Sequence, residues 1–248
     1  MLSSRFFSSL LICIAIAIPG IAQKRKKHHI ETVFDKQENK LKKEFLADGL
    51  HWPVYQIYVR NFKQEGQLEV WARNSNKAPF QLFKTYKVCA LSGVLGPKRK
   101  EGDYQVPEGF YYINEFRPNS NYHLALGLNY PNAADIQWSD SLHPGNEIFI
   151  HGGCITVGCI PIQDHQIEEL YVLARTAFKN KQAFIPVHIF PMRYTGDKAD
   201  KAIRKLAEYT PGYDKLSASL KEVYMHFETN RRLPLIGVDT NGKYVVFR

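Results

Sequence analysis

One stretch limits the folds open to this chain more than any other: Glu147-Ile-Phe-Ile-His151-Gly-Gly-Cys154-Ile-Thr156-Val-Gly158-Cys159-Ile-Pro161-Ile162. An apolar run, Ile148 to Ile150, ends on a histidine, and a loop of small residues leads to a Gly-Cys-Ile step. Asp164 then opens a segment in which Ile167, Leu170, Tyr171 and Ala174 recur at helical spacing. Asp164 reads as its N-cap, and Glu168 and Glu169 suit the positive end of the helix dipole. The order is strand, tight loop, cysteine, short strand, helix.

Around this stretch the chain reads as mainly β. Val54 to Arg60, Leu68 to Arg73 and Phe80 to Val88 are short and rich in β-branched or aromatic residues, which predicts successive antiparallel strands. A Pro107-Glu108-Gly109 turn hands the chain to a strand over Phe110 to Ile113, and Tyr122 to Leu128 is another. Tyr130 to Asn146 reads as a polar loop, and Ala183 to Phe190 as a further apolar strand. Phe34 to Leu46 predicts a short surface helix. Late in the chain, Lys198 to Tyr209 and Leu216 to Asn230 are helical in pattern, and Leu235 to Arg248 is a hairpin around Asn241-Gly242.

The start of the chain has a targeting character. Arg5, the apolar core Leu10 to Ile18 and the small residues of Pro19-Gly20-Ile21-Ala22 predict a secretory signal peptide over residues 1–22, too short for a comfortable membrane span. Export to the periplasm or cell envelope follows, with no stable membrane span once the signal is removed. Residues 23–53 are a basic tail and the short helix, 54–191 the body, and 192–248 a helical extension and hairpin packed on the same domain.

The formal charge is +9, with a run at Lys24 to Lys27 and a cluster at Lys98 to Lys100. Such a balance invites nucleic acid, but an exported protein meets little of it. An anionic envelope polymer or lipid surface is the better match, or the charge only aids solubility. Export leaves three cysteines, Cys89, Cys154 and Cys159, so at least one stays unpaired in an oxidising compartment.

Cys159 and His151 are eight positions apart, a separation that a strand end and a turn can close. An imidazole beside a thiol is what cysteine acyl transfer needs, since a free thiol with a pKa near ~8.5 is mostly protonated at neutral pH. The amides of Gly158 and Cys159 are candidate oxyanion donors. The alternatives are a buried, inert Cys159 and a satisfied strand-end His151. Cys154 either pairs with Cys159, silencing it, or is a small loop residue, the reading preferred here. His151, Cys154, Cys159 and His165 also form a possible zinc set, but their gaps match no usual knuckle. No metal or other cofactor is expected. Asp164 is a cap before it is a catalytic acid, His188 belongs to the core, and His165 is exposed.

The segment resembles the active-site signature of the L,D-transpeptidase catalytic-domain (YkuD-type) family, in particular its YafK-like branch, in His151-Gly152 and Thr156-Val157-Gly158-Cys159. Gly102-Asp103 through Pro107-Glu108-Gly109-Phe110-Tyr111, Tyr130-Pro131-Asn132 with Asp135, and Phe190-Pro191 extend the likeness over roughly Val54 to Pro191. The resemblance implies a β-sandwich or barrel with a helix after the cysteine and a helical C-terminal elaboration. It implies that Cys159 attacks a peptidoglycan stem peptide, with His151 as general base and then acid, and that an amine acceptor or water takes the acyl group. Gly158 would join the catalytic set, and Gly152, Thr156, Tyr111 and Arg117 would contact substrate. The chain departs from the broader family in having Val157 where a second histidine is usual and Pro161 where an arginine often stands. Arg117, Lys98 and Arg193 are left as candidates for a substrate carboxylate. Hydrolysis within the same family and a non-catalytic wall-binding module are the competing functions.

Overall fold

Alternation along β1, Gln56–Phe62, explains the architecture: nearly every residue of it is buried, so both faces of its sheet are covered. The computed structural model describes residues 19–247, with side chains from residue 30 onward except at 198. The signal peptide expected over residues 1–22 lies mostly outside the described residues. β1 is followed by β2, Gln67–Arg73, β3, Gln81–Lys87, β4, Gly109–Ser120, and β5, His123–Leu128. β6, Phe149–His151, and β7, Ile160–Pro161, flank the small-residue loop, and β8 spans Pro186–Phe190. These eight form one mixed sheet in the order β3-β2-β1-β8-β4-β5-β6-β7. The first three strands are antiparallel, as expected; β1 with β8 and β6 with β7 are parallel. The two edges meet where Val88 bridges Ile162 and the Cys89 N–H donates to the Pro161 carbonyl at 3.0 Å, so the sheet closes at the end that carries the small-residue loop.

Inside the curl lies α3, Asp164–Lys179, with Ile167, Leu170, Tyr171 and Ala174 buried among Ile57, Val59, Val187 and Ile189. The opposite face presents Tyr58, Phe62, His188 and Phe190 to the C-terminal elements. These are α4, Gly196–Tyr209, α5, Tyr213–Asn230, and the hairpin of β9, Leu235–Val238, and β10, Tyr244–Phe247. The apolar side of α5 docks there through Leu220, Val223, Tyr224 and Phe227. The β body, the helix after the cysteine and the helical elaboration thus take the expected places.

Three local expectations are corrected. The helix expected over 34–46 is the end of α1, Pro19–Ala47, which also takes in much of the expected basic tail. It is no mere surface helix: Val33, Gln37, Leu41 and Phe45 are buried. Glu168 and Glu169 of α3 anchor it, Glu168 to Gln37 at 2.8 Å and Glu169 to Lys40, so their use exceeds a dipole effect. The strand expected to stop at Ile113 runs on to Ser120, with irregular register past Ile113 and Arg117, which hides its alternation from a period-two search. Within the polar loop, Asn132 caps a short helix, α2, Ala133–Trp138, by accepting from the Ala134 and Asp135 amides. Among the described residues no helix is long and apolar enough to cross a membrane.

Candidate active site

β6 and β7 place the two residues the sequence singles out. Ile150 lies beside Ile160 and His151 beside Pro161 in parallel register. Cys159 stands one residue before β7, and alternate residues share a face, so Cys159, Pro161 and His151 point to the same side of strands ~4.8 Å apart. His151 and Cys159 line one cavity of about 300 Å³, together with Arg117, Ser120, Tyr122 and Glu147. The structure brings the pair together.

The imidazole is fixed. His151 Nδ1 lies 2.6 Å from the Gly152 carbonyl, and a carbonyl only accepts, so Nδ1 carries the hydrogen and Nε2 keeps its lone pair. The Tyr122 ring lies against it, centroids 4.7 Å apart. Burial pushes the His151 pKa below the ordinary histidine value, with the Gly152 bond opposing in part. Burial likewise pushes the Cys159 thiol up, offset in part by the Phe149 backbone N–H beside the sulfur. The thiol faces the Glu147 carbonyl at 3.6 Å. Both shifts favour the neutral forms, an unionised thiol and an uncharged imidazole.

The loop between them is set by its small residues. Gly158 has φ +141, and an added Cβ would sit 3.1 Å from the Gln105 carbonyl. A Cβ on Gly152 would meet Asp164 Oδ1 at 2.6 Å and the Tyr122 carbonyl at 2.9 Å. Thr156 Oγ1 donates to the Cys159 carbonyl at 2.8 Å and accepts the Gly158 N–H at 3.1 Å. That bond corrects the oxyanion expectation: the Gly158 amide is spent inside the loop, and Gly158 acts through its conformation. The Cys159 amide is the remaining donor of the expected pair. Thr156 is likewise a loop-holding residue. Asp164 accepts the Gly153 N–H at 2.8 Å and so caps this loop, while Gln163 takes the N-cap position of α3.

The cysteines are sorted differently from either reading of Cys154. Cys154 is bonded to Cys89, 65 positions away, and Cys159 is the free thiol among the described residues. This removes Cys154 from the zinc set as well, and His165 is exposed at the start of α3.

Among the cationic candidates, Arg117 stands at the cavity, over the Phe149 ring at 4.3 Å and paired with Glu115 at 2.5 Å and Glu147 at 3.0 Å. Lys98 is buried against Asp103 at 2.6 Å, so Lys98 to Lys100 form no single exposed patch. Arg193 is held by Glu69 at 2.5 Å and Gln67 at 2.8 Å, over the Phe62 ring. Tyr111 is corrected: it is buried, and its hydroxyl donates to Asp135 at 3.1 Å, away from the cavity. Sequence reasoning missed Tyr122, Glu147 and the Asn119–Asn121 tip between β4 and β5 as cavity residues. Arg117, two places before that tip, is the one signal that pointed there.

A second cavity, of about 320 Å³, also has Cys159 in its wall, with Leu91, Val94 and Val106. The nucleophile candidate forms part of the wall of both.

Comparison with known proteins gives a consistent set. The family model described as the L,D-transpeptidase catalytic domain matches residues 57–189. The Escherichia coli (strain K12) protein YafK is 33% identical over 192 residues, 77% of this chain and 73% of its own length, and so is its counterpart in strain O157:H7. Of solved structures, the helical cell shape determining protein Pgp2 from Campylobacter jejuni aligns with TM-score 0.45 at 18% identity, covering 76% of this chain and 74% of its own. Bdellovibrio bacteriovorus Bd1075 aligns with TM-score 0.40 at 21% identity, covering 70% and 63%.

Proposed function

The chain belongs to the L,D-transpeptidase catalytic-domain family, and from that membership we propose that it is an exported cysteine acyl-transferase acting on peptidoglycan stem peptides. Cys159 Sγ attacks the carbonyl at the L-centre of a diamino acid in the stem as its proton passes to His151 Nε2. His151 then gives that proton to the departing nitrogen of a D-residue, and the acyl group stays on sulfur as a thioester. In the second half an amine gives its proton to Nε2 and takes the acyl group. The Cys159 N–H is the oxyanion donor of the expected pair left free of the loop, and a donor so placed is worth ~10²–10³ in rate. Arg117 stands at the cavity as the cation for a substrate carboxylate, which would take the place of Glu115 or Glu147 on its guanidinium.

The observation that carries this reading is the orientation of His151. Its Nδ1–H is tied to Gly152, which leaves the lone pair of Nε2 as the base in a cavity shared with the one free thiol of the described chain. Incubation with muropeptides bearing a tetrapeptide stem should release the terminal D-amino acid. If wild type and Cys159→Ser release it equally, or not at all, the reading fails.

Hydrolysis is the second reading, and the polar tip Asn119, Ser120 and Asn121 beside the sulfur favours it by offering water hydrogen-bonding sites. Both readings share the thioester. Mass spectrometry of products with and without an added amine separates them: a new amide marks transfer, a free carboxylate hydrolysis.

A further inference from the structure

The backbone behind His151 is set by the start of β5. Ala125 pairs with His151, and the Gly152 N–H donates to the Leu124 carbonyl at 3.1 Å. A Cβ on Gly152 would come within 3.1 Å of the His123 Cβ, so the two chains touch there. The Gly152 carbonyl holds the imidazole by Nδ1, and Tyr122 lays its ring against it. Both contacts depend on how residues 122–124 are held.

That segment carries strain. His123 closes the hairpin of β4 and β5, opposite Ser120, with φ +69. Glycine usually fills such a place, because a residue with a Cβ adopts this conformation at a cost. Strain of this kind persists where the surroundings over-determine it. Here the side chain reaches α3, where His123 Nε2 lies 3.0 Å from Glu168 Oε1. A carboxylate only accepts, so Nε2 carries the hydrogen in either charge state of the ring. The other oxygen, Oε2, accepts from Gln37 of α1 at 2.8 Å and from Lys36 at 3.4 Å. One carboxylate thus ties the N-terminal helix, the helix after the cysteine and the strand behind the base.

We propose that His123 and Glu168 are a positioning pair for the base. Their bond fixes the backbone of residues 122–124, and through Leu124, Gly152 and Tyr122 it holds the His151 ring in the orientation that keeps the Nε2 lone pair available. Neither residue lines a cavity at Cys159, and no proton leaves the pair. The inference rests on His151 acting as base toward Cys159.

The test turns on His123→Gly in the full-length protein, which cuts the tether yet suits the φ. Its denaturant midpoint should not fall. Its kcat for release of the D-amino acid from a tetrapeptide-stem muropeptide should fall about tenfold, the effect of a slightly misplaced base, with KM unchanged. His123→Gln, whose amide N–H can reach Glu168 in the same way, should restore most of kcat. Alkylation of Cys159 by iodoacetamide needs no substrate. His151→Gln should slow it, His123→Gly should slow it in the same direction, and His123→Gln should bring it back. Turnover and alkylation at wild-type rates in His123→Gly would overturn the proposal. So would a His123→Gln as slow as His123→Gly, or a loss of activity matched by a loss of stability. Alkylation indifferent to His151→Gln would overturn the tether and the base together. If wild type releases no D-amino acid, the acyl-transfer reading fails, and the alkylation rates still decide the tether.

Discussion

Arg60 and Cys159 lie in one sheet and live under opposite rules. Arg60 is 2% exposed, held by Glu69 at 2.5 Å and Glu228 at 2.6 Å and surrounded by Phe62, Trp71, Tyr224 and Phe227. Its charge is fully answered, and the strands around it are long. Cys159 sits where strands shrink to three and two residues, beside glycines at which a side chain would be crowded or strained, and in the wall of two cavities. There the chain is held by a disulfide, an Asp164 cap and a threonine hydroxyl. The contrast teaches where stability and chemistry are separately supplied: packing fixes one end, and covalent and polar ties fix the other.

The sharpest way to break this division is at the disulfide. The double variant Cys89→Ser/Cys154→Ser opens a loop of 65 positions and should cost about 4 kcal/mol in denaturant unfolding. Because the tie lies beside Thr156 and Gly158, release of the D-amino acid should fall at least about tenfold per folded molecule. Arg60→Ala tests the other end. It should cost about 3 kcal/mol by leaving Glu228 and Glu69 short of a cation, while the rate per folded molecule stays at the wild-type value. If Arg60→Ala slows turnover as much as it destabilises, the two ends are not separate.

A smaller effect reads the same contrast through pH. His188, packed between Tyr58 and Phe110, has its pKa lowered by burial to about 3. The unfolded chain therefore binds a proton below about 6.5 that the folded chain refuses, so stability is lost as pH falls. From pH 7 to pH 5, wild type should lose about 2 kcal/mol more than His188→Gln, measured by chemical denaturation at each pH. The smallest effect belongs to the site. Since burial lowers the His151 pKa, the acid limb of kcat/KM should fall below the ordinary histidine value, and activity should rise with pH through it. An acid limb above that value would contradict the buried, neutral imidazole.

Legibility in the sequence follows range. The run Ile148 to Ala174 showed its strand, loop and helix because each signal lies within a few residues of the next. The Asn241-Gly242 hairpin and the apolar side of α5 are local in the same way. The Cys89–Cys154 bond was hidden because spacing carries no information across 65 positions. Tyr111 was expected to contact substrate because an aromatic on a strand does not announce its face; the Asp135 bond that holds it inward comes from α2, itself only six residues long. Gly158 showed its need for freedom, but not that Thr156 takes its amide. The targeting pattern of residues 1–22 lies mostly outside the described residues, which begin at Pro19 in α1.

With Cys89 and Cys154 already joined, the described chain offers a thiol reagent a single address, and that address is the sulfur on which turnover would depend. The increment on the Cys159 peptide of the unreduced protein, located by peptide mapping, therefore reports more than chemical reactivity. It gives the fraction of molecules in a preparation that are competent, an internal standard against which every rate can be normalised.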